Sequence, residues 1–258
     1  NAQNHHYWQD AALEDKLNTK SAAEIQQRKK EMKIELFKEV ANQTGKLFDE
    51  HILTIVWARR FAAYKRADLL MYDWERFLQL MSNTHTPIQV IWAGKPYPED
   101  TKANEIFNHI ISKTRTLANC AVLVGYELGL SALLKKGSDV WLNNPKMYRE
   151  ASGTSGMTAA MNASVNLSIP DGWIPEFAID GENCFIIQHA PDELSEDEKD
   201  SRENASLMNI IENKVLPMYY NNPEKWNQLI LKGVEGVLPA FESARMAKEY
   251  YEKMYQKA

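Results

Sequence analysis

Four short β-branched runs, separated by stretches of helical length and composition, constrain this chain more than any other feature. They are 51–57 (HILTIVW), 87–93 (PIQVIWA), 119–124 (NCAVLV) and 138–142 (SDVWL). The intervening stretches, 66–83, 99–116 and 127–136, read as helices. The four runs read as strands. The βαβα alternation therefore predicts a doubly wound, largely parallel α/β sheet. A weaker strand pair is expected at 165–169 and 184–187. From about 193 onward the chain reads as helices punctuated by Pro217, Pro223 and Pro239, packing across the sheet or onto a partner lobe. Ahead of the strands, 10–44 has the pattern of a solvated helix with one apolar stripe through Ile25, Met32, Leu36 and Val40, and Gly45 is its expected stop. The expected division is a helical lead-in over 1–48 and a doubly wound α/β domain over 49–258.

In such a sheet the ligand sits at the carboxyl ends of the strands, so the loops that follow them are the places to look. The loop after the first strand carries Arg59, Arg60, Lys65 and Arg66, with Tyr64 among them. Arginine offers a bidentate fork and lysine a point charge, so this cluster suits a phosphate group; a solvated basic turn is the equal alternative. The richest segment is Glu150-Ala151-Ser152-Gly153-Thr154-Ser155-Gly156-Met157-Thr158. Small residues with two glycines before a helix-forming stretch make a candidate anion nest, although a Ser/Thr-capped helix start is the commoner origin of such a sequence. The spacing matches neither a Walker A loop nor G-x-G-x-x-G. Asp171-Gly172-Trp173 has turn chemistry beside an aromatic ring, read as a tight turn with a core tryptophan ahead of a sugar platform.

Composition removes other classes. A formal net charge of -5 gives no basic field for nucleic acid, so any anion site must be local. No run approaches the roughly 20 apolar residues of a membrane span. The two cysteines, Cys120 and Cys184, lack ligand or CxxC spacing and read as buried reduced thiols, which points to the cytoplasm. His5 and His6 have no carboxylate or cysteine at ligand spacing and are expected at the surface or a lobe junction. The start at Asn1, without an initiator Met, suggests a piece of a longer polypeptide. The acidic run 192–200 is expected to be a solvated loop or helix start.

Taken in order, these loops resemble the α-glucan (glycogen, starch and maltodextrin) phosphorylase family in its short bacterial and archaeal form. The resemblance is carried by Ala58 to Phe61 with Tyr64-Lys65-Arg66, Trp92 to Lys95, Tyr126 with Gly129-Leu130, Asp139 to Asn143, Glu150 to Met157 and Asp171-Gly172-Trp173. It implies the C-terminal Rossmann-like lobe of a GT-B glycosyltransferase, closed by an N-terminal lobe of the same polypeptide. The implied reaction moves glucose between an α-glucan or maltodextrin and inorganic phosphate, yielding glucose 1-phosphate, with pyridoxal phosphate as cofactor. Arg60 resembles the arginine on the substrate phosphate, and Lys65 the lysine shared between the substrate and cofactor phosphates. Tyr64, Glu150, Ser152 and Gly153 match glucosyl contacts; Arg59, Tyr126, Thr154, Ser155 and Gly156 match positions near phosphate or cofactor. One position departs: the lysine that holds pyridoxal as an imine corresponds to Thr158, which has no amine. An untethered cofactor, another lysine such as Lys65 or Lys95, a nucleotide-sugar donor or a non-catalytic glucan-binding module are the readings this opens. The resemblance implies no metal, and it leaves oligomeric state open.

Overall fold

A computed structural model of the protein describes residues 22–256. The expected helical start at 10–21, and His5 and His6, lie outside them. Six strands form one sheet: β1 (Leu53–Ala58), β2 (Ile88–Ala93), β3 (Cys120–Leu123), β4 (Val140–Asn143), β5 (Val165–Ser168) and β6 (Cys184–Ile186). Every pairing is parallel, in the order β3-β2-β1-β4-β5-β6. This is the doubly wound, Rossmann-like α/β fold expected from the alternation. The weak pair β5 and β6 extends the parallel sheet. The strand order reverses between β1 and β4, and in open parallel sheets ligands bind at the carboxyl ends of strands at such a reversal.

Ten α-helices accompany the strands among the described residues. They are α1 (Ala22–Thr44), α2 (Trp74–Met81), α3 (Thr101–Thr114), α4 (Leu128–Gly137), α5 (Thr154–Ala160), α6 (Ile174–Phe177), α7 (Glu196–Ile210), α8 (Leu216–Asn221), α9 (Pro223–Phe241) and α10 (Ser243–Tyr250). Alternation along β1 sends Leu53, Ile55 and Trp57 to a core shared with Leu207, Ile211 and Trp226. Val56 and Ala58 go to a second core with Leu36 and Val40 of α1 and Leu134 of α4. Both faces of the sheet are thus covered, which is why its strands are mostly apolar.

Three expectations change in detail. The stretch 66–83 is not one helix. It holds a 3-10 turn over Leu69–Met71 and then α2, whose start is set by the Asp73 side chain accepting from the Arg76 amide. Pro239 lies inside α9, which ends two residues later at Phe241, so the cost of the missing N–H is confined to the last turn. The buried stripe of α1 also carries two lysines. Lys29 Nζ donates to the carbonyls of Lys136, Ser138 and Asn162 at 2.8–3.0 Å, and Lys33 Nζ reaches Asp139 Oδ2 at 2.7 Å. Periodicity reads lysine as solvent-facing; here these acceptors lie more than 100 residues away, and Ile52 O adds a nearer one to Lys33 at 2.6 Å.

Cys120 and Cys184 are free and buried, and burial pushes both thiols up to about 12. Alkylation by iodoacetamide at pH 8 is therefore expected to be at least tenfold slower in the native protein than in denaturant, because the thiolate is the reacting species. Mass spectrometry showing equally fast labelling of the folded protein would contradict this. Among the described residues no helix is long and apolar enough to cross a membrane, and no cluster of His, Cys, Asp or Glu could hold a metal ion.

Candidate functional site

The loops after β1 and β4 meet over the switch point. Arg59 directly follows β1, and its amide donates to Ala93 O at 3.0 Å, continuing the β1–β2 ladder by one residue. Its side chain is held beneath the loop, over the ring of Trp57 at 5.8 Å. Glu150, on the loop after β4, accepts on one oxygen, Oε1, from Arg59 Nη1 at 3.2 Å and from Lys65 Nζ at 2.5 Å. All three side chains are nearly buried: 7% of Arg59, 13% of Lys65 and 9% of Glu150 is exposed. Desolvation pulls the Arg59 guanidinium below the ordinary arginine pKa, and Glu150 opposes the shift.

The other edge of Arg59 is free. Nε and Nη2 are buried without a hydrogen-bond partner. These two N–H groups form the side-on fork of a guanidinium, the edge that takes two oxygens of a carboxylate or phosphate. A buried donor pair left open costs free energy, so it marks a place for an acceptor. Arg60 is exposed beside the fork-bearing residue and stacks over Tyr97 at 5.2 Å. The phenols of Tyr97 and then Tyr64 raise its pKa. Lys65 lies over the Tyr64 ring at 4.9 Å, and Tyr126 donates to Ala58 O at 3.3 Å, at the root of the same loop.

One expectation needs correcting. The basic loop does not present four cations to one pocket, because Arg66 turns away and is buried against Asp200 and Glu203. In the Gly-rich segment one amide is used locally and one glycine serves packing. Gly153 caps α5 with φ +83, but the Gly156 amide donates back to Gly153 O at 3.1 Å. Gly156 itself is buried, and a Cβ there would come within 2.7 Å of Asn166 Oδ1 and 3.0 Å of Trp173 Nε1, so packing explains this glycine. Ser152 carries the chain from Glu150 to this cap, and its carbonyl accepts from the Trp173 amide at 2.9 Å. Thr154 is exposed and Ser155 half-buried. Among the described residues no hydrogen bond joins Thr154, Ser155 or Thr158 to the Arg59–Lys65–Glu150 cluster.

Thr158 tests the fit of the implied cofactor. Its hydroxyl donates to the carbonyls of its own helix, Thr154 O at 3.3 Å and Ser155 O at 3.1 Å. A hydroxyl forms no imine, and Lys65 is already committed to Glu150. Position 158 therefore does not fit a covalently tethered pyridoxal.

Asp171, expected only as part of a tight turn, supports the site. Its Oδ2 accepts from the amides of Arg149 and Glu150 at 2.9 and 3.0 Å, and its Oδ1 from Gly172 N at 2.9 Å, so it sets the backbone that aims Glu150. The Asp-Gly pair was the visible signal. Trp173 next to it is core, as expected, stacked on Phe177 at 4.7 Å.

Residues 7–217 match the model of a family described as carbohydrate phosphorylase. An uncharacterized protein of Methanocaldococcus jannaschii is 45% identical over 99% of this chain and 48% of its own length. The maltodextrin phosphorylase of Thermococcus litoralis is 38% identical over 81% of this chain and 26% of its own. The glycogen phosphorylase of Aquifex aeolicus is 35% identical over 83% and 31%. The chain thus spans about half of the first relative and roughly a quarter to a third of the other two. With its parallel sheet, its basic loop after β1 and its Glu150-to-Met157 segment after β4, this chain belongs to the carbohydrate phosphorylase family.

Proposed function

We propose that this domain is the phosphate-holding lobe of an α-1,4-glucan phosphorylase-like glucosyltransferase of GT-B architecture, working against a second lobe. The observation that carries the reading is the open, buried fork of Arg59 at the switch point. Oxygens of inorganic phosphate, or of the phosphate of glucose 1-phosphate, would satisfy Nε and Nη2, with Lys65 and Arg60 supplying the remaining charge. Glu150, Tyr64, Ser152 and Gly153 stand where glucosyl hydroxyls would be held, and Thr154 and Ser155 extend the polar wall. Tyr126 supports the strand end from which Arg59 leaves. Fixed cations around an entering dianion stabilise the charge separation of glycosyl transfer without reorganising at the moment of reaction. The free thiols support the cytoplasm as the compartment.

Thr158 favours keeping a second reading, in which the same cations grip the diphosphate of a nucleotide-sugar donor and no pyridoxal is needed. A complete polypeptide supplied with maltodextrin and inorganic phosphate should form glucose 1-phosphate. Absence of product, with and without added pyridoxal phosphate, sinks the phosphorylase reading; consumption of a nucleotide sugar would then establish the second. Arg59→Met is expected to weaken phosphate binding by roughly 10- to 150-fold, the worth of a charge-assisted contact, measured by calorimetry. Glucan binding that persists while phosphate fails to bind would instead mark a non-catalytic glucan-binding module.

A further inference from the structure

Arg66 ends the basic motif of the first loop but contributes nothing to the open fork. It sits in the left-handed region, φ 48 and ψ 55, a conformation that costs free energy for a residue with a Cβ and persists only where surroundings enforce it. Its side chain is 4% exposed and reaches two separate pieces of the chain. Nε donates to Asn144 O at 3.0 Å and Nη2 to Pro145 O at 2.7 Å, on the loop that leads to Glu150. Asn144 Nδ2 returns a bond to Arg66 O at 2.8 Å, so the two loops are tied reciprocally. Nη1 pairs with Asp200 at 2.7 Å and Nη2 with Glu203 at 2.5 Å, both on α7. Glu203 is itself only 2% exposed, and its other oxygen accepts from the Ala190 amide at 3.1 Å and faces His189 Nδ1 at 3.0 Å. Close by, Lys146 N donates to Tyr64 O at 2.7 Å, a direct bridge between the two loops.

We infer that Arg66 is a positioning residue: it straps the Lys65 loop and the Glu150 loop to α7 and thereby fixes the distance at which the two side chains meet. Lys65 immediately precedes Arg66, and Glu150 lies five residues after Pro145, so a shift at the strap moves both partners of the cluster. Part of the acidic run 192–200 acquires a task by this account, since Asp200 anchors the strap and Glu196 pairs with Lys146. The inference rests on the phosphate-holding reading for its functional consequence but not for its geometry.

The test uses the full chain with Arg66→Lys and, independently, Glu203→Gln. Lysine keeps a charge near Glu203 but cannot span Asn144, Pro145 and Asp200 together. Hydrogen exchange of the Lys146 amide reads the strap, and calorimetric titration with inorganic phosphate reads the site. Expected is faster exchange at Lys146 in both variants, unchanged exchange in β1 and β4, and phosphate affinity lower by roughly tenfold, the scale of a small misplacement of reacting groups. Unchanged exchange at Lys146 overturns the strap. Faster exchange with wild-type phosphate affinity also overturns the proposal, leaving Arg66 a purely structural residue. If the unmodified chain binds no phosphate, the phosphate-holding reading fails, while exchange at Lys146 still decides whether Arg66 joins the loops.

Discussion

Replacing Lys33 by methionine is expected to lower the stability of the domain by about 3–5 kcal/mol, the cost of leaving a buried charge without its partner. Lys33 is 1% exposed and Asp139 3%, and their contact of 2.7 Å joins α1 to the entry of β4. Asp139 Oδ2 also accepts from Thr54 N at 2.8 Å, so the carboxylate ties β1 to β4 at the amino ends of both strands, opposite the site. Lys29 feels the same carboxylate, but its Nζ is spent on four other acceptors and does not replace Lys33. Urea unfolding of Lys33→Met checks the value. The double variant Lys33→Met with Asp139→Asn should recover a large part of the loss, because the uncompensated charge is then gone. A single-variant loss below about 1 kcal/mol would show that Asp139 is relieved some other way, and that the pair does not hold α1 to the sheet.

Gly94→Ala is expected to cost about 2–6 kcal/mol, overpacking and backbone strain acting together. Gly94 follows β2 with φ +143, and a Cβ there would stand 2.0 Å from the carbonyl oxygen of Arg59. No rotamer change relieves that contact, since the atom it meets is backbone. The ladder past the strands runs through this point, with Arg59 N bonded to Ala93 O and Phe61 N to Lys95 O at 3.2 Å. Alanine must therefore push the Arg59 loop off β2, and the free fork moves with it. Denaturant unfolding gives the stability loss, and phosphate titration of whatever remains folded should show weakened binding. A variant as stable as the parent would mean the loops separate freely, and the preformed character of the fork would have to be given up.

Much of the architecture was legible in residues alone. Runs such as 88–93 are mostly apolar because parallel strands are covered on both faces, and the spacing between them leaves room for one helix each. The loops after the first and fourth strands stood out by residue type, and the order of motifs carried the family. What residues could not reveal is which charges face which. Arg59, Lys65 and Arg66 read as equals in the sequence, yet Arg59 keeps an open fork, Lys65 pairs with Glu150 and Arg66 turns back to α7.

The same gap appears in α1, where Lys29 and Lys33 occupy buried positions that periodicity assigns to apolar side chains. Propensity and periodicity act over a few residues, and they determined the strands, the helices and the order of the loops. Ion pairs and orphaned donors are settled by neighbours 85 to 137 residues away, brought together only once β1 and β4 lie side by side at the reversal of the sheet. A buried charge must find its partner there or forfeit several kcal/mol, so the tertiary structure, and not local pattern, decides which of the cations remains open to a ligand.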